Sequence, residues 1–282
     1  MSFENWVAYT YTPSMGAAVL FIILFAIITL LHTFHLFRTR TWFFIPLMIG
    51  GYFELVGYIG RAMSSKESPN WTIGPYVMQS TLLLVAPALF AASIYMELGR
   101  IILMVKGEHF SLVRVTWMTK IFVAGDVLSF LMQASGAGIM VSGSESSMST
   151  GQNVIIGGLI VQIVFFGFFL VSAVVLQRRV AVHPYAAAVA SEYPWNKHMW
   201  ALHSSSILVL IRSVVRVVEY AQGTYGYLMS HEAFIYVFDG LLMFALMAIF
   251  IAIHPSEVNY HLGRGRAITA MGGLKVKDAA MV

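Results

Sequence analysis

Two arginines and a glutamate stand inside an apolar stretch of membrane-spanning length, residues 203–227. Arg212, Arg216 and Glu219 are spaced i, i+4 and i+7, so a helix places all three on one face, with Tyr220 beside them. Each charge held at depth in lipid costs roughly 2.5–3.5 kcal/mol. We therefore expect this face to border a protein interior or a watered cavity that contains acidic partners.

A second apolar stretch repeats the same spacing of polar residues. Glu54, Tyr58 and Arg61 also fall at i, i+4 and i+7. Small residues on a membrane helix allow a neighbouring helix to approach closely. In this stretch they are Gly50, Gly57 and Gly60. The pattern predicts a second polar face, at the interior of a helix bundle.

Other apolar stretches carry single polar residues that could complete such an interior. They are Gln79, Asp126, Gln133, Gln162, Tyr236 and Asp239. If the acids and arginines of all these faces share one cavity, the acids are in excess by one. Such a site could couple transport to protons or attract the amine of a cationic lipid. The alternative is that these polar residues only hold helices together by hydrogen bonds.

The composition is that of an integral membrane protein. Of 282 residues, 59% are hydrophobic and only 11% are charged, against about 25% charged in soluble domains. The chain has no cysteine, which excludes disulfides and thiolate chemistry. The net charge of +4 is not read as a nucleic-acid signal, because the basic residues lie in short loops, where they set membrane topology.

The hydropathy pattern predicts an all-α fold with seven transmembrane helices in one bundle. The predicted spans are 15–37, 42–63, 75–98 (interrupted by Pro87), 117–141, 154–176, 203–227 and 233–253. We divide the chain into a short N-terminal segment (1–14), the transmembrane domain (15–255) and a basic tail (256–282) that is predicted to be disordered.

The distribution of basic residues predicts the orientation of the bundle. Thirteen of the 17 lysines and arginines lie in the loops after spans one, three and five, at the start of span four, or in the tail. The positive-inside rule then places the N-terminus outside and the C-terminus in the cytoplasm. Asn70-Trp71-Thr72 is an acceptor pattern for N-glycosylation and falls outside in this topology, in agreement with the assignment.

The sequence also allows two other classes of membrane protein, a zinc hydrolase and a receptor. A zinc hydrolase would need three protein ligands; His32 and His35, and His198 and His203, are only paired, and the first pair is expected at the membrane interface. A seven-helix receptor or lipid sensor fits the topology but rests on fold analogy. No dinucleotide fingerprint, P-loop or nucleophile elbow is present. We therefore expect no enzyme activity, catalytic residue, cofactor or metal.

Several longer motifs together resemble a known family. They are ELVGYIGR (54–61), FVAGDVLSFLMQASGAG (122–138), IRSVVRVVEYAQGTYGYL (211–228) and HEAFIYVFDGLLM (231–243). In this order, and with the stretches between them, they are similar to the fungal lipid-translocating exporter family, founded on a resistance-to-aminocholesterol protein. The resemblance covers roughly residues 17–255. It implies a seven-helix protein, often of the plasma membrane, associated with export or flipping of sphingoid long-chain bases and, in one member, with porphyrin uptake.

The expected function is accordingly translocation of an amphipathic lipid, with a sphingoid long-chain base as the favoured substrate. Apolar walls would hold the acyl chain, and a carboxylate such as Glu219, Asp239 or Asp126 would hold the ammonium. Arg212 and Arg216 would orient those carboxylates or bind a phosphate. The residues assigned to binding or translocation are Arg212, Arg216, Glu219, Tyr220, Asp239, Tyr236, Asp126, Gln133, Glu54, Tyr58 and Gln79.

Overall fold

The computed structural model describes residues 9, 11–140, 145–223, 226–264, 266–268 and 274–275. The helices in this part of the chain are α1 (Met15–Thr39), α2 (Ile45–Lys66), α3 (Ile73–Met104), α4 (Val115–Met140), α5 (Glu145–Val182), α6 (Pro184–Ser191), α7 (Trp195–Gln222), α8 (Tyr227–Ser230), α9 (Leu242–Ala252) and α10 (Ser256–His261). A π-helical segment, Ile235–Leu241, leads directly into α9, and 3₁₀ turns cover Trp42–Phe44 and Glu108–Phe110. The two-residue strands β1 (Ala267–Ile268) and β2 (Leu274–Lys275) pair antiparallel.

Within the described residues, seven helical segments are long and apolar enough to cross a membrane. They are α1, α2 with its preceding turn, α3, α4, α5, α7, and the segment from Ile235 to His261. The predicted all-α fold with seven spans is confirmed at this level. With seven spans in the described residues, Met15 at the start of the first span and His261 at the end of the last lie at opposite ends of the bundle. We call these ends the N-side and the C-side.

Several helix boundaries differ from the predicted ones; α3 continues past residue 98 to Met104, and α5 continues past residue 176 to Val182. The span predicted at 203–227 is α7, which begins at Trp195 and ends at Gln222, where Gly223 adopts a positive φ of 76°. Only glycine adopts such a conformation without strain, so it terminates the helix. The Ser/Gly-rich stretch predicted as a loop is helical from Glu145 onward. The loop after α5 contains α6.

The tail also differs from the expected disorder at its start. Ser256–His261 form α10, in which Val258 and Asn259 are buried. Arg100 Nη1 of α3 donates a hydrogen bond of 2.7 Å to Asn259 Oδ1. The polar composition suggested disorder, but a specific hydrogen bond and a buried valine hold this turn against the bundle. The residues after 275 lie outside the described part of the chain.

Helices α2 and α3 pack closely against each other. The glycines of α2 face α3, since a Cβ at Gly50 would lie 2.6 Å from a ring carbon of Phe90, and one at Gly57 would lie 2.7 Å from Leu83 Cδ2. A Cβ at Gly60 would lie 3.0 Å from the Pro75 carbonyl oxygen. The prediction that these glycines admit a neighbouring helix is confirmed. α1 packs on α2, α4 on α5, and α7 contacts α3, α5 and α9.

Two membrane-spanning segments depart from regular α-helix inside the bundle, close to buried polar side chains. Pro87 lies inside α3, where it has no N–H to give to the carbonyl of residue 83. The π-helical segment carries Asp239 and Gly240 at its buried face. Such π-bulges are frequent at functional sites because they change the direction of side chains within a helix.

Candidate functional site

A cluster of opposite charges lies in the middle of the bundle, between α2, α7 and the π-helical segment. We call it the central cluster, and it consists of Arg212, Arg216, Glu219, Asp239 and Glu54. Arg212 Nε lies 2.9 Å from Asp239 Oδ1. The side chains of Arg212 and Asp239 are 3% and 5% exposed, so this ion pair is almost fully desolvated. The predicted acidic partners of the arginines are thus present, and Asp239 is the principal one.

Arg212 has a second partner, a backbone carbonyl. Its Nη2 donates a hydrogen bond of 2.7 Å to the carbonyl oxygen of Leu83 in α3. In a regular helix that oxygen would accept from the N–H four residues later. That residue is Pro87, which has no N–H. The proline therefore leaves an acceptor unsatisfied inside the bundle, and the guanidinium of Arg212 satisfies it.

Arg216 lies one helical turn further toward the N-side and binds two carboxylates. Its Nε donates to Asp239 Oδ1 over 3.2 Å, and its Nη2 donates to Asp239 Oδ2. Its Nη1 donates to Glu219 Oε2 over 3.1 Å. The side chains of Arg216 and Glu219 are 14% and 19% exposed, so the cluster becomes more accessible toward the N-side. Tyr220 is within electrostatic range of both Arg216 and Glu219.

Glu54 is the third carboxyl group of the central cluster. It is fully buried and within electrostatic range of Arg212, Arg216 and Asp239. Neither of its carboxyl oxygens has a hydrogen-bond partner among the described residues. The carboxylates of Asp239 and Glu219 are already held by arginines, whereas that of Glu54 is not. Glu54 is thus the acid of this cluster that a positively charged group could engage without displacing an arginine.

Tyr58, one turn from Glu54, connects the central cluster to the N-side. Its ring stacks on Phe21 at 5.1 Å and on Phe25 at 5.6 Å, and lies 5.9 Å from the ring of Tyr236. Its hydroxyl is buried and has no hydrogen-bond partner among the described residues. A Cβ at Gly240 of the π-helical segment would lie 2.5 Å from that hydroxyl, so only glycine fits there. The α2 face predicted from spacing therefore exists, and it contacts two polar clusters.

The second of these, the N-side cluster, is centred on Arg61. Its Nη2 donates to Glu232 Oε1 over 2.7 Å and to the Tyr11 hydroxyl over 2.9 Å. Its Nε donates to the Tyr236 hydroxyl over 2.9 Å. The Tyr236 ring also lies 5.0 Å from the guanidinium carbon, within cation–π range. Arg61 is thus paired with Glu232 and does not belong to the central cluster, contrary to the charge tally made from the sequence.

The segment before α1 covers this N-side cluster. The Tyr9 hydroxyl donates to Gln79 Oε1 over 2.9 Å, which is the role the structure gives to Gln79. The backbone N–H of Ser14 donates to Glu232 Oε1 over 2.7 Å, and the Ser65 hydroxyl donates to the Pro13 carbonyl over 2.7 Å. Burial raises the pKa of the Tyr9 phenol, so the hydroxyl remains a donor at neutral pH.

A third cluster lies at the C-side, on α3, α7 and α10. His198 Nε2 lies 3.1 Å from Glu257 Oε2, and its Nδ1 lies 3.7 Å from Glu97 Oε1. Lys197 also forms a salt bridge with Glu257. His198 and Glu97 are completely buried. This C-side cluster attaches α10 to two membrane-spanning helices.

Asp126 and Gln133 lie apart from all three clusters. Tyr95 of α3 donates its hydroxyl to Asp126 Oδ2 over 2.9 Å. Gln133 Nε2 donates to the Ser129 hydroxyl over 2.7 Å, with Gln162 Oε1 at 3.4 Å. The Tyr95–Asp126 bond joins α4 to α3 and the Gln133–Gln162 contact joins α4 to α5, whereas the Gln133–Ser129 bond lies within α4. The expectation that Asp126 and Gln133 share one cavity with the arginines is therefore not met, and their contacts are those of interhelical hydrogen bonds.

His32, which was expected at the membrane interface together with His35, lies inside the bundle. His32 is buried and its Nε2 lies 3.0 Å from the Met247 carbonyl oxygen, while the His35 ring lies 5.2 Å from that of His254. Among the residues that the structure describes, no group of three or more histidines, cysteines or acids is placed to hold a metal ion. The sequon residue Asn70 is exposed in the loop before α3, and the hydroxyl of Thr72 donates to Glu67.

Sequence reasoning did not assign several residues that the structure makes prominent: Tyr11, Leu83, Glu97, His198, Glu232 and Glu257. Two of them had a detectable signal. Glu232 precedes Tyr236 by four residues, which places both on one helical face. Pro87 predicts a free carbonyl at residue 83, although nothing in the sequence indicates that Arg212 reaches it.

Comparison with known proteins identifies the family. A family model described as RTA1 like protein matches residues 47–261, three quarters of the chain. The chain belongs to this RTA1-like family. The resemblance derived from the sequence motifs is thereby confirmed. The central cluster, Arg61, Glu232 and the C-side cluster all lie within the matched residues, whereas Tyr9 and Tyr11 precede them.

Curated relatives of this RTA1-like protein carry different names. Protein RTM1 of Saccharomyces cerevisiae is 37% identical over 88% of this chain and 91% of its own length. Protoporphyrin uptake protein 1 of S. cerevisiae is 38% identical with the same coverage. A more distant relative, sphingoid long-chain base transporter RSB1 of S. cerevisiae, is 24% identical over 86% of this chain and 72% of its own length. No solved structure matches.

Proposed function

We propose that this protein is a membrane transporter that translocates an amphipathic lipid, of the sphingoid long-chain base class, through the central cluster. The observation that carries this proposal is the pairing of Arg212 and Arg216 with Asp239 in the middle of a membrane bundle. One ion pair, or a few neutral hydrogen bonds, would suffice to join two helices. Two arginines with three carboxyl groups exceed that need, and intramembrane charges mark substrate pathways by default.

The arrangement of the three clusters supports translocation over simple binding. The central cluster lies between the N-side cluster, covered by the segment before α1, and the C-side cluster, covered by α10. A substrate crossing the membrane must pass both. The two outer clusters are held by hydrogen bonds and ion pairs, which water can replace when the helices separate. Helices interrupted by features such as Pro87 and the π-helical segment are typical of transporter binding sites.

The charge arrangement suggests how a sphingoid base would be held. Its ammonium would pair with Glu54, whose carboxyl oxygens are buried and not engaged by an arginine. Its hydroxyls would face Tyr58 and the exposed edge of Arg216 and Glu219. This differs from the expectation that Glu219, Asp239 or Asp126 binds the amine, because Asp239 and Glu219 are already paired and Asp126 lies elsewhere. The name of RSB1 supports this substrate class, and protoporphyrin, named for another relative, is the natural competitor.

The test is leaflet exchange of a fluorescent sphingoid base in liposomes that contain the purified protein, measured at two pH values. Wild type should exchange the lipid, and Arg212→Gln should reduce exchange at least about tenfold, since a buried ion pair loses one partner. Lys120→Gln, which removes an exposed charge from the start of α4, is the matched control and should behave as wild type.

Two outcomes would contradict the proposal. Exchange of a fluorescent porphyrin without exchange of the sphingoid base would assign the site to a different substrate. Binding of the sphingoid base without exchange, in folded protein, would identify a lipid sensor. From the family resemblance we further propose a plasma-membrane location and a contribution to resistance against lipid or drug stress. From the distribution of basic residues we propose that the N-side is outside.

A further inference from the structure

A groove lies at the C-terminal end of α5, remote from the three polar clusters. It has a volume of about 420 Å³ and forms where α5 turns into α6 and meets the 3₁₀ turn Glu108–Phe110. Its lining residues are Phe110, Arg178, Arg179, Val182, His183 and Pro184. It shares no residue with the central cluster, so a ligand in the groove would be additional to the translocated substrate.

The wall of the groove is mainly apolar, and two cationic side chains, Arg178 and Arg179, stand at its edge. Arg178 and Arg179 are exposed, and neither forms an ion pair with an acid within the described ranges, Glu108 included. Arg179 Nη1 makes one long hydrogen bond, 3.3 Å, to the Phe110 carbonyl oxygen. Two guanidiniums at one edge without a carboxylate partner are free to bind a phosphate group, which guanidinium donors bind bidentately.

The backbone adds a further attraction for anions. Helix α6 begins at Pro184, and the side chain of its N-cap residue, His183, makes no capping hydrogen bond. Pro184 has no N–H and the N–H of Ala187 bonds the His183 carbonyl oxygen, so the first turn of α6 offers the N–H groups of Tyr185 and Ala186, where the helix dipole favours negative charge. The His183 ring packs 5.1 Å from the ring of Phe110, which fixes that wall of the groove.

The surroundings of the groove are those of a membrane surface. The span that ends in it runs from Ser146 to Val182. Val182 and Tyr185 are 82% and 73% exposed, which is costly in water but favourable against acyl chains and headgroups. A ligand with both an anionic head and an apolar chain would satisfy the arginines and cover these side chains together. A soluble phosphate would satisfy only the arginines.

We propose that this groove binds the headgroup phosphate of an anionic phospholipid from the leaflet on the C-side. On the topology predicted from basic residues this is the cytoplasmic leaflet, where anionic phospholipids are concentrated. The bound lipid would anchor the junction of α5 and α6 at the membrane surface, with its acyl chain along Val182.

The experiment is a lipid titration of the full-length protein in detergent, followed by native mass spectrometry. The lipids are phosphatidylserine and phosphatidylcholine, and glycerol 3-phosphate serves as the soluble competitor. Wild type should prefer phosphatidylserine, and the double variant Arg178→Gln/Arg179→Gln should bind it roughly 10- to 30-fold more weakly, because each basic residue contributes a factor of about five. Arg178→Gln alone should bind phosphatidylserine about fivefold more weakly. This single variant tests the site even if the double variant does not fold.

The control is Arg38→Gln/Arg40→Gln, which removes two exposed arginines from the same end of the bundle but not from the groove. It should retain phosphatidylserine binding within about twofold. An equal loss in both double variants would show diffuse surface charge and overturn the proposal. Full competition by glycerol 3-phosphate at equal concentration would assign the groove to a soluble anion instead, and no preference of wild type for phosphatidylserine would refute the site outright.

Discussion

Arg212 donates a hydrogen bond to the carbonyl oxygen of Leu83, which is the acceptor that Pro87 leaves free in α3. The central cluster is therefore joined to α3 by a feature of the backbone as well as by side-chain charges. The proline removes a helix hydrogen bond, and the arginine gains a partner that does not compete with Asp239. The bond to the Leu83 carbonyl oxygen orients the guanidinium of Arg212, and its Nε stays 2.9 Å from Asp239 Oδ1.

The first prediction follows from this bond. Pro87→Ala supplies an N–H that can bond the Leu83 carbonyl oxygen, so Arg212 has to compete for its backbone acceptor. We expect transport to fall by about tenfold while the thermal midpoint stays equal or rises, because a proline in a helix interior costs about 3 kcal/mol in soluble hosts. Liposome exchange and thermal unfolding are measured on the same preparation.

The control for this variant is Pro75→Ala at the first turn of α3, where no intrahelical donor is lost. Transport by Pro75→Ala should remain at the wild-type level. Wild-type transport by Pro87→Ala would show that the Leu83 carbonyl does not position Arg212.

The bond between Arg212 and Leu83 also shows which features of the site the sequence can predict and which it cannot. The spacing of Arg212, Arg216 and Glu219 predicted their common face, because helical periodicity depends only on residue separation. The partner of a carbonyl on another helix depends on how two helices cross, which no local pattern encodes. For the same reason the sequence alone does not separate Asp126 from the arginines, although α4 packs against α5 and the Asp126 carboxylate accepts a hydrogen bond from Tyr95.

The second prediction concerns the two guanidiniums that share Asp239. Asp239→Asn removes their common carboxylate and leaves both cations buried, with Glu219 as the remaining engaged acid. We expect a loss of about 3–5 kcal/mol in stability. Glu219→Gln should cost less than Asp239→Asn, because Arg216 keeps both of its hydrogen bonds to Asp239 and the Arg212–Asp239 pair is untouched. Thermal or denaturant unfolding in detergent measures both, and equal losses would contradict the central position of Asp239.

The third prediction separates substrate binding from folding through Glu54. Glu54→Gln keeps the shape of the side chain and breaks no ion pair, since neither carboxyl oxygen has a partner among the described residues. Stability should therefore change by less than about 1 kcal/mol, while exchange of a sphingoid base falls at least about tenfold because the ammonium loses its counter-charge. The exposed Glu108→Gln is the control. Undiminished exchange by Glu54→Gln would remove this carboxyl group from the binding site.

The fourth prediction concerns the cover of the N-side cluster. Ser64 is completely buried next to Tyr9, and the chain has no cysteine, so Ser64→Cys provides a single reporter thiol. Glu232→Gln and Tyr11→Phe weaken the bonds to Arg61 and to the segment before α1. We expect each to increase the rate of maleimide labelling at this thiol about fivefold, in line with the loss of roughly 1 kcal/mol of hydrogen bonding. Tyr185→Phe, remote from this end, should leave the rate unchanged, and unchanged rates in all variants would show that the segment does not open there.

The fifth prediction concerns His198, which lies between Glu97 and Glu257 in the C-side cluster. His198→Asn shortens the side chain and leaves the buried Glu97 without its neighbour, so we expect a loss of about 3 kcal/mol in stability. Adding Glu97→Gln should restore part of this loss, because the uncompensated carboxyl group is then replaced by an amide of the same size. Unfolding of the two single variants and the double variant gives the coupling. Strictly additive losses would mean that the two side chains act independently and that α10 is held by Arg100 and Asn259 instead.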